Sequence, residues 1–268
     1  MPDRASRTQA AILRPEAARE RITVGRQEPP ADLAAYVDYL WWVTWSTPEP
    51  HHQEVIPRPV VHLSAEWRDG EPRLLVNGVY RRQFVRVLEG AGRTVAAAFL
   101  PGGFRPLLGG SVSALRDRVV PALDVLGVDD RAVAEALVDT TTPIDEAVDR
   151  LTAWLADLRT RPDPMVARLA ALVTRAEEDT TITRAEQLAA IAGVGMRTLQ
   201  RQFVEYVGIG PKWVVQRSRL LDVAAAAHAD QRVDWAELAA ALGYADQSHL
   251  IRGFTALVGA PPATYARR

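Results

Sequence analysis

Apolar positions along this chain fall into two regimes. Residues 55–63, 71–79, 84–88 and 95–99 are short apolar runs cut by Pro, Gly and Asp. Such runs predict β-strands, because Gly and Pro end a ladder while branched and aromatic side chains fill a pleated surface. Further on, the spacing turns helical. Residues 129–139 and 144–158 carry apolar positions three and four apart, Thr142-Pro143 supplies a helix start, and Arg161-Pro-Asp-Pro164 reads as a linker. The pattern predicts an α+β chain. A small antiparallel β-barrel or sheet with trailing helices occupies residues 1–160, and an all-α domain occupies 165–268.

The helical part contains an internal repeat. Glu186-Gln-Leu-Ala-Ala-Ile-Ala-Gly193 returns as Ala236-Glu-Leu-Ala-Ala-Ala-Leu-Gly243. Leu199-Gln-Arg201-Gln-Phe203 returns as Leu250-Ile-Arg252-Gly-Phe254, and Val207-Gly208 with Pro211 as Val258-Gly259 with Pro262. The second copy has one more residue in its turn. Each copy predicts two short helices around a glycine, with Gly193 and Gly243 placed to end the first helix in the left-handed conformation. Leu199/Phe203 and Leu250/Phe254 stand at i and i+4 and give the second helix one buried face. Arg197, Thr198, Gln200, Arg201 and Arg252 lie off that face, where a helix-turn-helix presents side chains to the major groove. Paired short helices also occur in bundles, so the pattern leaves both a DNA reader and a packing module open.

Composition narrows the field. The chain lacks cysteine, which excludes disulfides, thiolate metal sites and cysteine nucleophiles. No apolar run is long enough to span a bilayer, and residues 1–15 lack the apolar stretch of a secretory leader, so a cytoplasmic location is expected. The net charge of −1 does not advertise nucleic-acid binding, although the excess of base over acid lies after Pro164. Phosphate binding depends on where the arginines sit rather than on their sum.

The strongest resemblance lies in residues 182–265. Leu242-Gly-Tyr-Ala-Asp-Gln-Ser-His-Leu-Ile-Arg-Gly-Phe254, with Val258-Gly-Ala-Pro-Pro262 and Tyr265, resembles the AraC/XylS family of transcription regulators. Ala192-Gly-Val-Gly-Met-Arg-Thr-Leu-Gln-Arg-Gln-Phe203 and Val207-Gly-Ile-Gly-Pro-Lys212 resemble its first unit. The resemblance implies seven helices, with residues 212–229 as a rigid linker that holds two recognition helices about one DNA turn, ~34 Å, apart. It also implies that Arg197, Thr198, Gln200 and Arg201 read DNA in the first unit, and Gln247, Ser248, His249, Ile251 and Arg252 in the second. Arg suits guanine O6/N7, Gln suits adenine N6/N7, and Ile251 suits a thymine methyl. Lys212 and Arg217 are candidates for phosphate contacts. The family commonly opens the first recognition helix with a capping serine; Gly195 stands there instead. Ala245 replaces a second common serine, but Asp246 follows and can cap.

Upstream, Phe99-Leu-Pro-Gly-Gly-Phe104 and residues 112–127 resemble an N-terminal domain of poorly defined function found in a subset of these regulators, cupin-like in outline. The Pro101-Gly-Gly103 turn is read as positioning Phe104 rather than as a phosphate loop. His51, His52 and Glu54, with His62 beyond, depart from the usual cupin spacing, and the His51-His52 pair follows Pro-Glu-Pro, so loop residues are favoured there; no metal or cofactor is expected. Tyr36, Tyr39, Trp41, Trp42, Trp45 and Trp67 form an aromatic cluster. Strand alternation puts Trp41 and Trp45 on one face and Trp42 on the other. Trp41, Trp45 and Trp67 are the candidates to line an apolar ligand site, the remainder being core.

These readings make the chain a sequence-specific regulator with duplex DNA as partner. RNA polymerase, a small-molecule effector and a second copy of the chain are further candidate partners. An enzyme or ligand-binding protein fused to the helix-turn-helix module is the alternative. DNA-repair methyl acceptors that carry a similar module need a reactive cysteine, and no other nucleophile–base pairing stands out. A pure interaction protein is a third class, which salt-dependent DNA binding would dismiss.

Overall fold

A computed structural model describes residues 22–158, 161–228 and 233–265. The reading of residues 1–15 falls outside them. Six strands form one antiparallel sheet: β1 (Ile22–Gln27), β2 (Val37–Val55), β3 (His62–Arg68), β4 (Glu71–Asn77), β5 (Phe84–Phe99) and β6 (Val119–Pro121), in the order β1-β2-β5-β3-β4-β6. Residues alternate between its faces. Leu40 and Leu63 both stand opposite Ala97, and with Leu74, Val76 and Val95 they form the core face. Tyr39, Trp41, His62 and Ser64 lie on the other face.

Two expectations about strands need correction. The run 55–63 is not one strand: β2 ends at Val55 and β3 begins at His62. Pro57 and Pro59 lie between; neither can donate to a ladder, and each fixes φ. His51 and His52 are not loop residues either. They pair with Leu88 and Val87 inside β2, beyond a register shift between Thr47 and His51. Pro48-Glu-Pro50 makes an irregularity in a long strand rather than a chain-reversing turn.

Short helices α1 (Arg105–Leu108), α2 (Ala122–Leu126), α3 (Arg131–Val138) and α4 (Ile144–Asp157) follow, with a 3-10 turn at Val112–Leu115. Leu137, Leu151 and Leu155 are fully buried in the core that includes Leu40 and Leu63. Each such side chain contributes about 1.5–3 kcal/mol by leaving water. Buried Arg93 on β5 donates to the carbonyls of Leu137 (2.9 Å), Thr142 (2.7 Å) and Asp139, satisfying acceptors that the end of α3 leaves open. The Pro101-Gly102-Gly103 turn has Gly102 at φ 88°, and a Cβ on Gly103 would lie 2.1 Å from the Tyr36 carbonyl. It delivers Phe104, 1% exposed, edge-on to Phe99 with centroids 5.0 Å apart.

The remainder is helical: α5 (Pro164–Glu178), α6 (Ala185–Ala192), α7 (Met196–Gln202), α8 (Pro211–His228), α9 (Trp235–Ala241), α10 (Gln247–Val258) and α11 (Pro262–Tyr265). These are seven helices among the described residues. Ala229, the expected end of the linker helix, lies outside them. Two cores result. The larger runs without a break from Leu33 to Val215, joining the sheet, α3 to α7 and the start of α8. The smaller gathers Ile56 with Leu220, Val223, Leu250, Phe254 and Tyr265.

Candidate nucleic-acid interface

The two repeats fold alike at their turns. Gly193 (φ 64°) and Gly243 (φ 70°) both adopt the left-handed conformation. Val194 N donates to Ala189 O at 3.1 Å and Tyr244 N to Ala239 O at 2.8 Å, so each turn closes with the same six-to-one bond. Leu199, Phe203, Leu250 and Phe254 are each 0% exposed. On the opposite side Arg197, Gln200, Arg201, Gln247, Ser248, His249 and Arg252 are exposed, while Thr198 and Ile251 are half-buried. Ile251 packs on the smaller core, and the Gln200 amide lies against Gly210. Lys212 is exposed.

The second helices start differently. Asp246 accepts from His249 N at 2.6 Å, capping α10. Gly195 offers α7 no side-chain acceptor. The helix before α7 is better secured: Gln187 Oε1 accepts from Thr183 N and Arg184 N, both at 2.9 Å. Arg168 on α5 donates to Ala192 O at 2.6 Å at its other end. Arg168 was not singled out in the sequence, because nothing local ties it to a helix that starts more than a dozen residues away.

The first unit is docked onto the sheet region. After α7 the chain forms a π-turn, Phe203–Val207, closed by Gly208 N donating to Phe203 O at 3.0 Å. The widened turn buries Phe203 and Val207, while Glu205 and Tyr206 meet groups upstream. Arg105 pairs with Glu205 at 3.1 Å, and the Tyr206 hydroxyl donates to Asp163 at 2.8 Å. Arg116 Nε donates to Gly208 O at 2.8 Å. Burial and the hydrogen bond to Asp163 raise the Tyr206 pKa, so the phenol stays a donor.

The linker helix is tied to the sheet region as well, and this revises Arg217. That residue does not face a phosphate: its side chain is 3% exposed, and it donates to Pro57 O and pairs with Glu177 at 2.9 Å. Arg58 beside it pairs with Asp38 at 3.1 Å. Burial lowers the Arg217 pKa to about 10, Glu177 opposing and Arg58 adding to the effect. Burial acts the same way on Arg58, but Tyr39, Glu177 and Asp38 outweigh it and the net shift is upward. Trp213 Nε1 donates to Arg81 O at 3.2 Å, and Gln83 N donates to Leu257 O at 3.1 Å, so α8 and α10 both touch the segment between β4 and β5.

The three candidate ligand tryptophans do not converge. Trp41 and Trp45 share the sheet face away from the core, both half-buried. Trp41 Nε1 donates to His62 Nδ1 at 3.2 Å, and Trp45 lies across Gly92, where a Cβ would come within 2.4 Å of its ring. Trp67 is 65% exposed and alternates onto the face of Leu63 and Ala65. Burial and the Arg58 charge push the His62 pKa down to about 3, which keeps the imidazole neutral. Among the described residues no group of three or more His, Asp or Glu could hold a metal ion. A separate open cleft of about 790 Å3 lies beside residues 161–164, lined by Leu107, Leu126, Trp154, Leu158 and Asp163 among others. No helix among the described residues is long and apolar enough to cross a membrane.

Residues 188–268 match a helix-turn-helix domain family, and residues 26–121 match a family described as a domain of unknown function, DUF6597. With the paired units in place, the chain is a DNA-binding transcription regulator. More particularly, its C-terminal domain is a helix-turn-helix domain of the AraC type, carried behind an N-terminal DUF6597 domain. No curated protein matches the chain. Among solved structures, ToxT from Vibrio cholerae at 1.65 Å aligns with TM-score 0.41 and 10% identity, covering 92% of this chain and 97% of that one. ToxT bound to (E)-4-(8-methylnaphthalen-1-yl)but-3-enoic acid aligns with TM-score 0.37 and 11% identity, over 92% and 98%. Unsaturated fatty acid bound wild-type ToxT aligns with TM-score 0.36 and 11% identity, over 91% and 94%.

Proposed function

We propose that α7 and α10 are recognition helices that read adjacent major-groove segments of one duplex. Arg197, Thr198, Gln200 and Arg201 serve the first segment, and Gln247, Ser248, His249, Ile251 and Arg252 the second. The observation that carries this reading is the same two-sided helix made twice, with Leu and Phe buried on one side and Arg exposed on the other. Exposed Arg201 and Arg252 hold equivalent positions in the repeat and suit bidentate contact with guanine. Lys212 adds a phosphate contact; Arg217 is withdrawn from that role.

In this reading residues 1–160 sense or dimerise and 165–268 read DNA. The ties from Arg217, Trp213 and Gln83 support control of DNA reading by the sheet region. An effector changes promoter occupancy only through different affinity for two arrangements of these parts. The face of Trp41 and Trp45 is the proposed seat of that effector, without Trp67. RNA polymerase and a second copy of the chain remain candidate partners, a cytoplasmic location follows from work on chromosomal DNA, and no reaction is assigned.

Genome-wide mapping of bound DNA tests the reading. Wild type is expected at discrete sites, and Arg201→Ala/Arg252→Ala is expected to lose them while its far-ultraviolet circular dichroism is unchanged. Loss of one bidentate contact costs about 1–3 kcal/mol of discrimination, so losing two lowers site preference by about tenfold or more. Unchanged occupancy in the folded double variant overturns the assignment.

A further inference from the structure

The linker helix α8 carries a second buried arginine whose contacts face both units. Arg219 is 9% exposed. Its guanidinium carbon sits 3.8 Å from the centroid of the Tyr244 ring, in the turn of the second unit. Its Nη1 reaches toward Thr183 O, 3.5 Å away, in the loop that opens the first unit. Among the described residues Nε and Nη2 have no hydrogen-bond partner, and neither has the Tyr244 hydroxyl. The two units also meet directly here: a Cβ on Gly243 would lie 3.2 Å from Thr183 Cβ. From this joint each path to a recognition helix is short. Thr183 N is held by Gln187 at the start of α6, and the Tyr244 ring stands edge-on to His249 at 5.5 Å, in the first turn of α10.

A guanidinium with two idle donors is a poor way to fill a buried space. Leaving donors unsatisfied costs stability, and an aliphatic side chain of similar volume avoids that cost. What arginine adds is a flat, charged plane that lies on an aromatic face with a fixed distance and tilt. A flat stack between the helix joining the units and the turn of one unit, at the point where that turn touches the other, resists both sliding and rotation. We propose that Arg219, stacked on Tyr244 and abutting Thr183, is a positioning residue that sets the angle and spacing between the two recognition helices and thereby the operator spacing the protein accepts.

This inference rests on the reading that both α7 and α10 read DNA, and the experiment separates the two. The full chain is first used to select duplexes from a randomised library. The selected two-part element is then remade with one or two base pairs inserted or deleted between its parts, each pair turning one part by about a tenth of a turn relative to the other. Wild type is expected to lose affinity by about tenfold or more on these altered duplexes, because both units can no longer engage together. Arg219→Ala is expected to bind the original duplex more weakly, to lose less than about threefold on the altered ones, and to bind each isolated part as wild type does. Arg219→Lys keeps the charge but not the plane, so it should resemble Arg219→Ala. Tyr244→Phe keeps the ring and should retain wild-type spacing preference, whereas Tyr244→Leu should lose it. Thermal melts establish which variants are folded, and Tyr244→Leu stands in if Arg219→Ala is not. A full spacing penalty in folded Arg219→Ala or Tyr244→Leu overturns the positioning role, as does weakened binding to isolated parts. Selection of no sequence by wild type instead sinks the DNA-reading assignment, and this inference with it.

Discussion

The two helix-turn-helix units share a sequence pattern and a turn geometry, yet they are held in place by different means. In the first unit α7 has no cap, but it is continuous with the large core and clasped by Arg105, Arg116 and Asp163. In the second unit Asp246 caps α10, yet its apolar side chains belong to a small separate core to which the sheet region contributes Ile56. Local and tertiary stabilisation are thus divided between the copies. A helix within a large core can do without its cap, because helices in proteins owe most of their stability to the buried face.

The largest expected effects come from the paired phenylalanines. Phe203→Ala and Phe254→Ala should each cost about 3–5 kcal/mol, since both side chains are fully buried. Hydrogen exchange should tell them apart. Phe254→Ala is expected to lower protection in α9 to α11 and leave the sheet untouched, whereas Phe203→Ala lowers it in the sheet, α3 and α4 as well. Equal patterns in both variants break the two-core distinction.

Acid should act on the sheet through His62. The unfolded chain protonates His62 near 6.5, but the folded chain holds out until about 3. Between these values the unfolded state binds more protons, so stability falls as pH drops through that window. Thermal melts from pH 7 to pH 4 should show the sheet and first unit weakening together, and His62→Gln should flatten that dependence. A variant as acid-sensitive as wild type would sever His62 from the effect.

The smallest effects lie in the caps. Asp246→Ala should destabilise the second unit by about 1 kcal/mol and weaken its half of the DNA contact. Gly195→Ser should gain only a few tenths of a kcal/mol, because glycine is a tolerable N-cap and α7 is already held from elsewhere. A larger gain at Gly195 than loss at Asp246 would reverse the division described above.

Features that depend on neighbours in sequence were legible in advance. Gly193 and Gly243 ended their helices, Asp246 capped, Gly195 did not, and Leu/Phe at i and i+4 were buried. The reading failed where long-range packing decides. Nothing in the order of residues marks Arg217 as turned inward, because its partners Pro57 and Glu177 lie far off in sequence. Trp67 could not be separated from Trp41 and Trp45 by composition; only the register of β3 against β5 puts it on the opposite face. His51 and His52 looked like loop residues because prolines precede them, yet pairing with β5 draws the chain back into the sheet.

The sequence by itself determined a strand-rich part, a twice-made helix-turn-helix and the turn chemistry that shapes each copy, since these rest on periodicity and local φ/ψ preference. Tertiary structure alone decided that the first copy merges with the core of the sheet while the second keeps its own. It also decided which of two nearby arginines on α8 is tied to the sheet region and which stacks between the units. Those outcomes depend on which surfaces meet, and burial between distant segments leaves no trace in the spacing of residues along the chain.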